Sequence, residues 1–168
     1  FPSASIVLVG GTFDVDLSRL EALPNVVLLG QRSYGEIPEI LWSFDVCLIP
    51  FVRNAITEAT DPVKFYEYCY SGKPVVSTEM PELRRFAGLC ALASSHDEFL
   101  EMTARALEER PDDPVRIRRR SVAAENDWDR RYGQIAAALA DVENRRYVAV
   151  EHSVLESLEH SASELPLA

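Results

Sequence analysis

Lysine is scarce in this 168-residue sequence: Lys64 and Lys73 are its two examples, and every other cationic chain is an arginine. Both fall in one stretch, Asp61-Pro-Val-Lys-Phe-Tyr-Glu-Tyr-Cys-Tyr-Ser-Gly-Lys-Pro-Val-Val-Ser-Thr78. The stretch reads as a helix over Pro62–Ser71, with Asp61 as cap, Pro62 at the first helical position and Gly72 as the stop. Lys64 and Glu67, three apart, share one face near the positive end of that helix. A diphosphate fits a lysine at a helix N-terminus, and a carboxylate one turn on can accept both hydroxyls of a ribose. The outline is that of a nucleoside-diphosphate site. The plain alternative is a surface ion pair worth about 0.2–0.5 kcal/mol.

The elements that must position this helix are those of a parallel α/β sheet, because short apolar runs alternate with helical patterns at close spacing. Strands are expected at Ser5–Val9, Val26–Leu29, Val46–Pro50, Pro74–Ser77 and Leu89–Leu92. Their continuous apolarity suits strands covered by helices on both faces. Helices are expected at Leu17–Ala22, Ile37–Ser43, Pro62–Ser71 and Pro81–Phe86, then at Glu98–Glu109, Pro114–Glu125 and Asp127–Ala140. In the last of these, Trp128, Tyr132, Ile135 and Leu139 form one stripe, with Asn126 as cap. The fold class is therefore α/β, a Rossmann-like parallel sheet with helices on both faces and a helical C-terminal region. Residues 1–140 make the nucleotide-binding domain, and residues 141–168 a tail that is helical or poorly ordered. Ligands in such folds bind at loops leaving the carboxyl ends of strands. Here these are Gly10-Gly11-Thr12, Gly30-Gln31-Arg32-Ser33, Phe51 to Thr60, and Thr78-Glu79-Met80.

The net charge of −10 disfavours nucleic acid as a partner. It is uneven: residues 1–50 carry −4, residues 51–100 carry −2 and residues 101–168 carry −4. The least acidic third holds the suspected phosphate site. Cys47, Cys69 and Cys90 lie in or beside apolar segments without metal-ligand spacing, which argues for a reducing compartment, hence the cytoplasm. No apolar run approaches the ~18 residues of a membrane span.

Three segments together resemble the nucleotide-binding half of a GT-B glycosyltransferase: Phe44-Asp-Val-Cys-Leu-Ile-Pro-Phe51, Asp61-Pro-Val-Lys-Phe-Tyr-Glu67 and Gly72-Lys-Pro-Val-Val-Ser-Thr78. Pro24-Asn-Val with Leu29-Gly30, and Asn126-Asp-Trp-Asp-Arg-Arg131, are similar to further landmarks of its retaining, bacterial family 4-like members (glycosyl transferases group 1), which build cell-surface polysaccharides. The resemblance spans about residues 5–140. It implies that Glu67 binds the donor ribose and that Lys64 lies near the diphosphate. Gly30, Gln31 and Arg32 would approach the nucleobase, and Thr60 and Asp61 would face the donor sugar or phosphate. Gly10 and Gly11 offer either a tight turn or close backbone approach to the donor, and lack the third glycine of a dinucleotide fingerprint.

Two departures from that pattern stand out. Many family members carry a second glutamate eight positions before the ribose ligand, where this sequence has Ala59; Glu58 is one place out of register. The acceptor-binding N-terminal domain and the first strand–helix unit of the nucleotide domain also have no counterpart here. The strands at Ser5–Val9 and Val46–Pro50 would then flank a gap, to be met by direct pairing, by insertion of Tyr147–Val150, or by another chain, with direct closure or a partner chain favoured.

Other motifs read more plainly. Asp14-Val-Asp16 could ligate a divalent cation with a diphosphate, but its setting before Leu17 and Leu20 fits a helix start. His96, His152 and His160 show no zinc spacing, and His96 suits a helix-entry turn. Arg118-Arg-Arg120 reads as a solvated helix face, with contact to acidic lipid or the absent domain as the alternative.

The resulting expectation is the donor-binding part of a glycosyltransferase acting on a nucleoside-diphosphate sugar, with retention, and with no cofactor or metal required. The chain alone should be inactive. Its implied partners are the nucleotide sugar, the N-terminal acceptor domain, a lipid-borne acceptor at the inner membrane, and a second copy through exposed strands. The competing reading is a non-catalytic nucleotide-binding or protein-interaction module.

Overall fold

The computed structural model describes residues 1–163, with the side chains of residues 1–146. It divides into two compact units, Phe1–Ser121 and the segment from Val122 onward.

In the first unit, strands β1 (Ile6–Val9), β2 (Val26–Gly30), β3 (Cys47–Ile49), β4 (Val75–Thr78) and β5 (Cys90–Ala93) each fall within a residue or two of the expected apolar runs. Every pairing is parallel. Between them lie helices α1 (Ser18–Glu21), α2 (Ile37–Ser43), α3 (Ala55–Glu58) and α4 (Val63–Ser71), followed by α5 (His96–Ala106) and α6 (Pro114–Glu125), which crosses the boundary. Pro81–Phe86 is a 3-10 rather than an α-helix. The core centres on β3–β4–β5 and α4, where Ile49, Phe65, Cys69, Val76 and Leu83 are fully buried.

The strands form two sheets, β1–β2 and β3–β4–β5. Direct closure of β1 on β3 therefore does not occur, nor does insertion of Tyr147–Val150, whose backbone is helical. Side chains of α2 and α4, rather than β3, face Val7 and Val9 of β1. α2 packs on α4, and packed helices stand about 8–10 Å apart against about 4.8 Å for paired strands. A cleft of about 330 Å³ lies beside β1, lined by Val7 and Val9 together with side chains of α2 and α4. On the opposite face of β1, Ile6 and Leu8 are exposed.

One arginine of the expected solvated face is deeply buried. The Arg119 guanidinium donates to both Glu109 carboxylate oxygens at 2.7 Å, to Leu89 O at 2.7 Å and to Gly72 O at 3.3 Å. A carboxylate and two buried carbonyls need donors there, and only a planar fork of N–H groups can reach all three. Apolarity alone would have turned Ile117 inward, yet Ile117 is 69% exposed.

From Val122 onward the chain holds the end of α6 and a long helix, α7 (Trp128–Ser163). Asp127, not Asn126, caps α7, its Oδ1 accepting from the Arg130 N–H at 2.8 Å. Asn126 donates back to Val122 O instead. The stripe of Trp128, Tyr132, Ile135 and Leu139 lies exposed.

Candidate functional site

Helix α4 begins at the carboxyl end of the β3 branch and ends at Gly72, whose φ of +74° is the left-handed conformation that glycine adopts without strain. A Cβ at Gly72 would also come 2.9 Å from Arg120 Nε, so the stop is constrained twice. At the other end Pro62, rather than Asp61, holds the cap position, and the helix starts at Val63. The Asp61 carboxylate accepts from Tyr66 Oη at 3.0 and 3.1 Å and from Arg85 at 3.0 Å. It thereby ties the entry of α4 to its second turn and to the Pro81–Phe86 segment.

The first turns of α4 present Lys64 and Glu67 to the cleft beside β1. Arg32, from the loop after β2, lines the same cleft, along with Tyr34 and Tyr68. Lys64 and Glu67 do not form the surface ion pair that their spacing allows. Lys64 Nζ lies over the Phe51 ring, 5.7 Å from its centroid. Glu67 Oε1 instead accepts a 3.3 Å hydrogen bond from Tyr34 Oη. The Glu67 charge, with some desolvation, pushes the Tyr34 phenol above its ordinary range. Arg32 faces Glu36 at 3.9 Å, a loose and exposed pairing that leaves its guanidinium available to an anion.

The remaining expected residues form a second group at the carboxyl ends of β1 and β2. Gly10 N–H donates to Gly30 O at 3.0 Å, and a Cβ placed at Gly11 would come 3.7 Å from Gln31 Oε1. Gly10, Gly11, Gly30 and Gln31 are thus neighbours, although they do not line the cleft. Thr60 and Asp61 are outside its lining as well. The Thr60 hydroxyl donates to Ile56 O at 2.6 Å, closing the turn after α3. That helix organises the loop from Phe51 to Thr60, with Asn54 accepting from the Ile56 and Thr57 N–H groups.

Asp16 accepts from the Ser18 N–H at 2.9 Å, so it starts α1, and this bond holds its carboxyl below the usual range. Among the described residues, no group of three or more His, Cys, Asp or Glu side chains converges as a metal site would require. Tyr34, like Tyr68, is a cleft residue that local sequence reasoning passes over. Its signal was the Ser33/Glu36 capping box, in which Glu36 Oε2 accepts from Ser33 N at 2.9 Å and Ser33 Oγ at 2.6 Å.

This arrangement of parallel strands and cleft-facing α4 matches a known family over most of the first unit. Residues 2–109 fit the family model of glycosyl transferases group 1. The chain belongs to that family. It is 27% identical over 126 residues to the Bacillus subtilis (strain 168) protein named "Putative teichuronic acid biosynthesis glycosyltransferase TuaH", a match covering 73% of this chain and 32% of that protein. In fold it is similar to Anabaena Alr3699/HepE, whose crystal structure is in complex with UDP and glucose. The TM-score there is 0.60 at 19% identity, over 83% of this chain and 41% of that one. The GT-B, Rossmann-like fold expected from the motifs is the fold found. The chain spans about a third of the curated relative and under half of the solved one. None of its described helices is long and apolar enough to cross a membrane.

Proposed function

We propose that these residues form the donor-nucleotide-binding part of a sugar transferase that uses a nucleoside-diphosphate sugar. The observation that carries this reading is the convergence of Arg32, Lys64 and Glu67 on one cleft flanked by parallel strands. In it Glu67 holds the ribose hydroxyls by charge-assisted hydrogen bonds, and Lys64 with the α4 N-terminus offsets negative charge building on the leaving diphosphate. Arg32 supplies a planar donor to phosphate or base. Gly10, Gly11, Gly30 and Gln31 offer backbone and amide groups beside the cleft, while Asp61 and Thr60 hold the loop that delivers α4. Retention of anomeric configuration, a role in cell-surface polysaccharide synthesis and a cytoplasmic setting at the inner membrane extend the same reading, supported by the family and by the name of the Bacillus relative. Acceptor binding and the second wall of the catalytic cleft are assigned to the part of such a transferase that these residues, spanning 32% of the Bacillus relative, do not cover.

The test is calorimetric titration of the chain with UDP, GDP and dTDP. Glu67→Ala should weaken UDP binding about ten- to a hundredfold, the loss expected when a diol leaves a charged acceptor. Glu58→Ala should change it little. Equal affinities for wild type and Glu67→Ala would refute the assignment.

A further inference from the structure

Tyr34 stands first in a 3-10 turn, Tyr34–Glu36, that the Ser33–Glu36 capping box holds rigid. The turn aims the phenol from the end of β2 toward α4, where its hydroxyl donates to Glu67 Oε1 across 33 positions of sequence. Tyr34 is 77% exposed, so this bond satisfies no buried group and the ring contributes little to the core. A hydrogen bond that neither burial nor satisfaction demands is informative when it ends on the candidate ribose ligand. Glu67 has three rotatable bonds, and its i−3 neighbour Lys64 is a competing partner on the same helix face. The phenol restrains that freedom and leaves Oε2, with the second lone pair of Oε1, to other donors. A carboxylate has about four acceptor sites, so one taken by Tyr34 still leaves enough for two sugar hydroxyls. Because the Glu67 charge raises the Tyr34 phenol, it remains a donor throughout the physiological range.

We propose that Tyr34 is a positioning residue for Glu67, orienting its carboxylate for a vicinal diol and thereby setting the preference for ribonucleotides over nucleotides lacking both hydroxyls. The assignment rests on Glu67 being the ribose ligand. It predicts coupling between three groups: the Tyr34 hydroxyl, the Glu67 carboxylate and the sugar diol.

The experiment measures Kd for UDP and for 2′,3′-dideoxy-UDP with wild type, Tyr34→Phe, Glu67→Gln and the double variant. Tyr34→Phe should keep the wild-type melting temperature, since the side chain is exposed, and should weaken UDP by about three- to tenfold. It should shift dideoxy-UDP by less than about twofold, and it should add nothing to Glu67→Gln. Equal loss for both nucleotides would overturn the proposal, because a role in stacking or in shaping the loop is blind to the diol. An unchanged UDP affinity in Tyr34→Phe, alongside a weakened Glu67→Gln, would overturn it while leaving the ribose reading intact. Unchanged UDP affinity in Glu67→Gln would remove the ribose ligand itself and this assignment with it.

Discussion

Removing the Arg119 side chain should be among the most destabilising single changes in the first unit. In Arg119→Ala the Glu109 carboxylate, 12% exposed, loses a bidentate partner that is itself 7% exposed. Leu89 O and Gly72 O lose their guanidinium donor at the same time. Breaking a buried pair by deleting one member costs about 3–5 kcal/mol, because the remaining charge stays unpaired. At about 2–4 °C of melting temperature per kcal/mol for a chain of this size, the drop should be roughly 6–20 °C. Arg105, paired with Glu101 on the solvent face of α5, supplies the control. An exposed pair of that kind contributes about 0–1 kcal/mol, so Arg105→Ala should move the midpoint little. Urea and thermal unfolding of both variants provide the measurement. Arg119→Met with Glu109→Leu guards against outright unfolding: removing both charges should recover the unpaired-charge part of the loss, while Leu89 O and Gly72 O stay without the guanidinium donor. If Arg119→Ala were no worse than Arg105→Ala, or if the apolar pair were as unstable as the single variant, the unpaired-charge argument would fail.

Two further outcomes follow from the same geometry. The 168 residues alone should transfer no sugar from any nucleotide-sugar donor in a panel, since they span 32% of the curated relative; robust transfer by the purified chain would contradict this. Cys47, Cys69 and Cys90 are buried, and desolvation pushes their thiols up to about 12, 12 and 11. They should resist DTNB in the native state and all react in denaturant. An unfolded thiol ionises near pH ~8.5, whereas these stay protonated, so their contribution to stability is intact below that pH and is lost as pH rises toward about 11–12. Each thiol adds a slope of about 1.4 kcal/mol per pH unit in that window; a flat stability from pH 8 to 10 would contradict it.

Much of the fold was legible because local and tertiary signals agree. The apolar runs mark all five described strands, and Gly72 marks the end of α4 to the residue. Where neighbours compete, legibility fails. Asn126 and Asp127 are both good caps, and one residue of chain path decides in favour of Asp127. Past Asp141 the apolar stripe fades, which left the tail open to a helical or a poorly ordered reading, and α7 runs on to Ser163. No glycine or proline interrupts the sequence from Gln134 to Ser163, and the Arg145–Asp141 pair at 2.7 Å supports one turn on the next. Helix propensity suffices once nothing breaks it. The gap between β1–β2 and β3–β4–β5 was expected from the resemblance, but no local signal said that direct pairing would fail to close it.

The candidate site divides along the same line. Lys64 and Glu67 were readable because helix geometry fixes which residues share a face, and that rule operates within one segment. It could not say what each would touch. The structure separates the pair, placing Lys64 over Phe51 and Glu67 against the Tyr34 hydroxyl. For a pair meant only to stabilise α4, this would be wasteful: each charge gives up its nearest opposite partner for a weaker one. Kept apart, the ammonium and the carboxylate remain able to meet two different parts of one ligand, an anion at the start of the helix and a diol one turn further in. The separation of Lys64 from Glu67 is what the proposed bipartite nucleotide site requires, and their spacing in sequence does not reveal it.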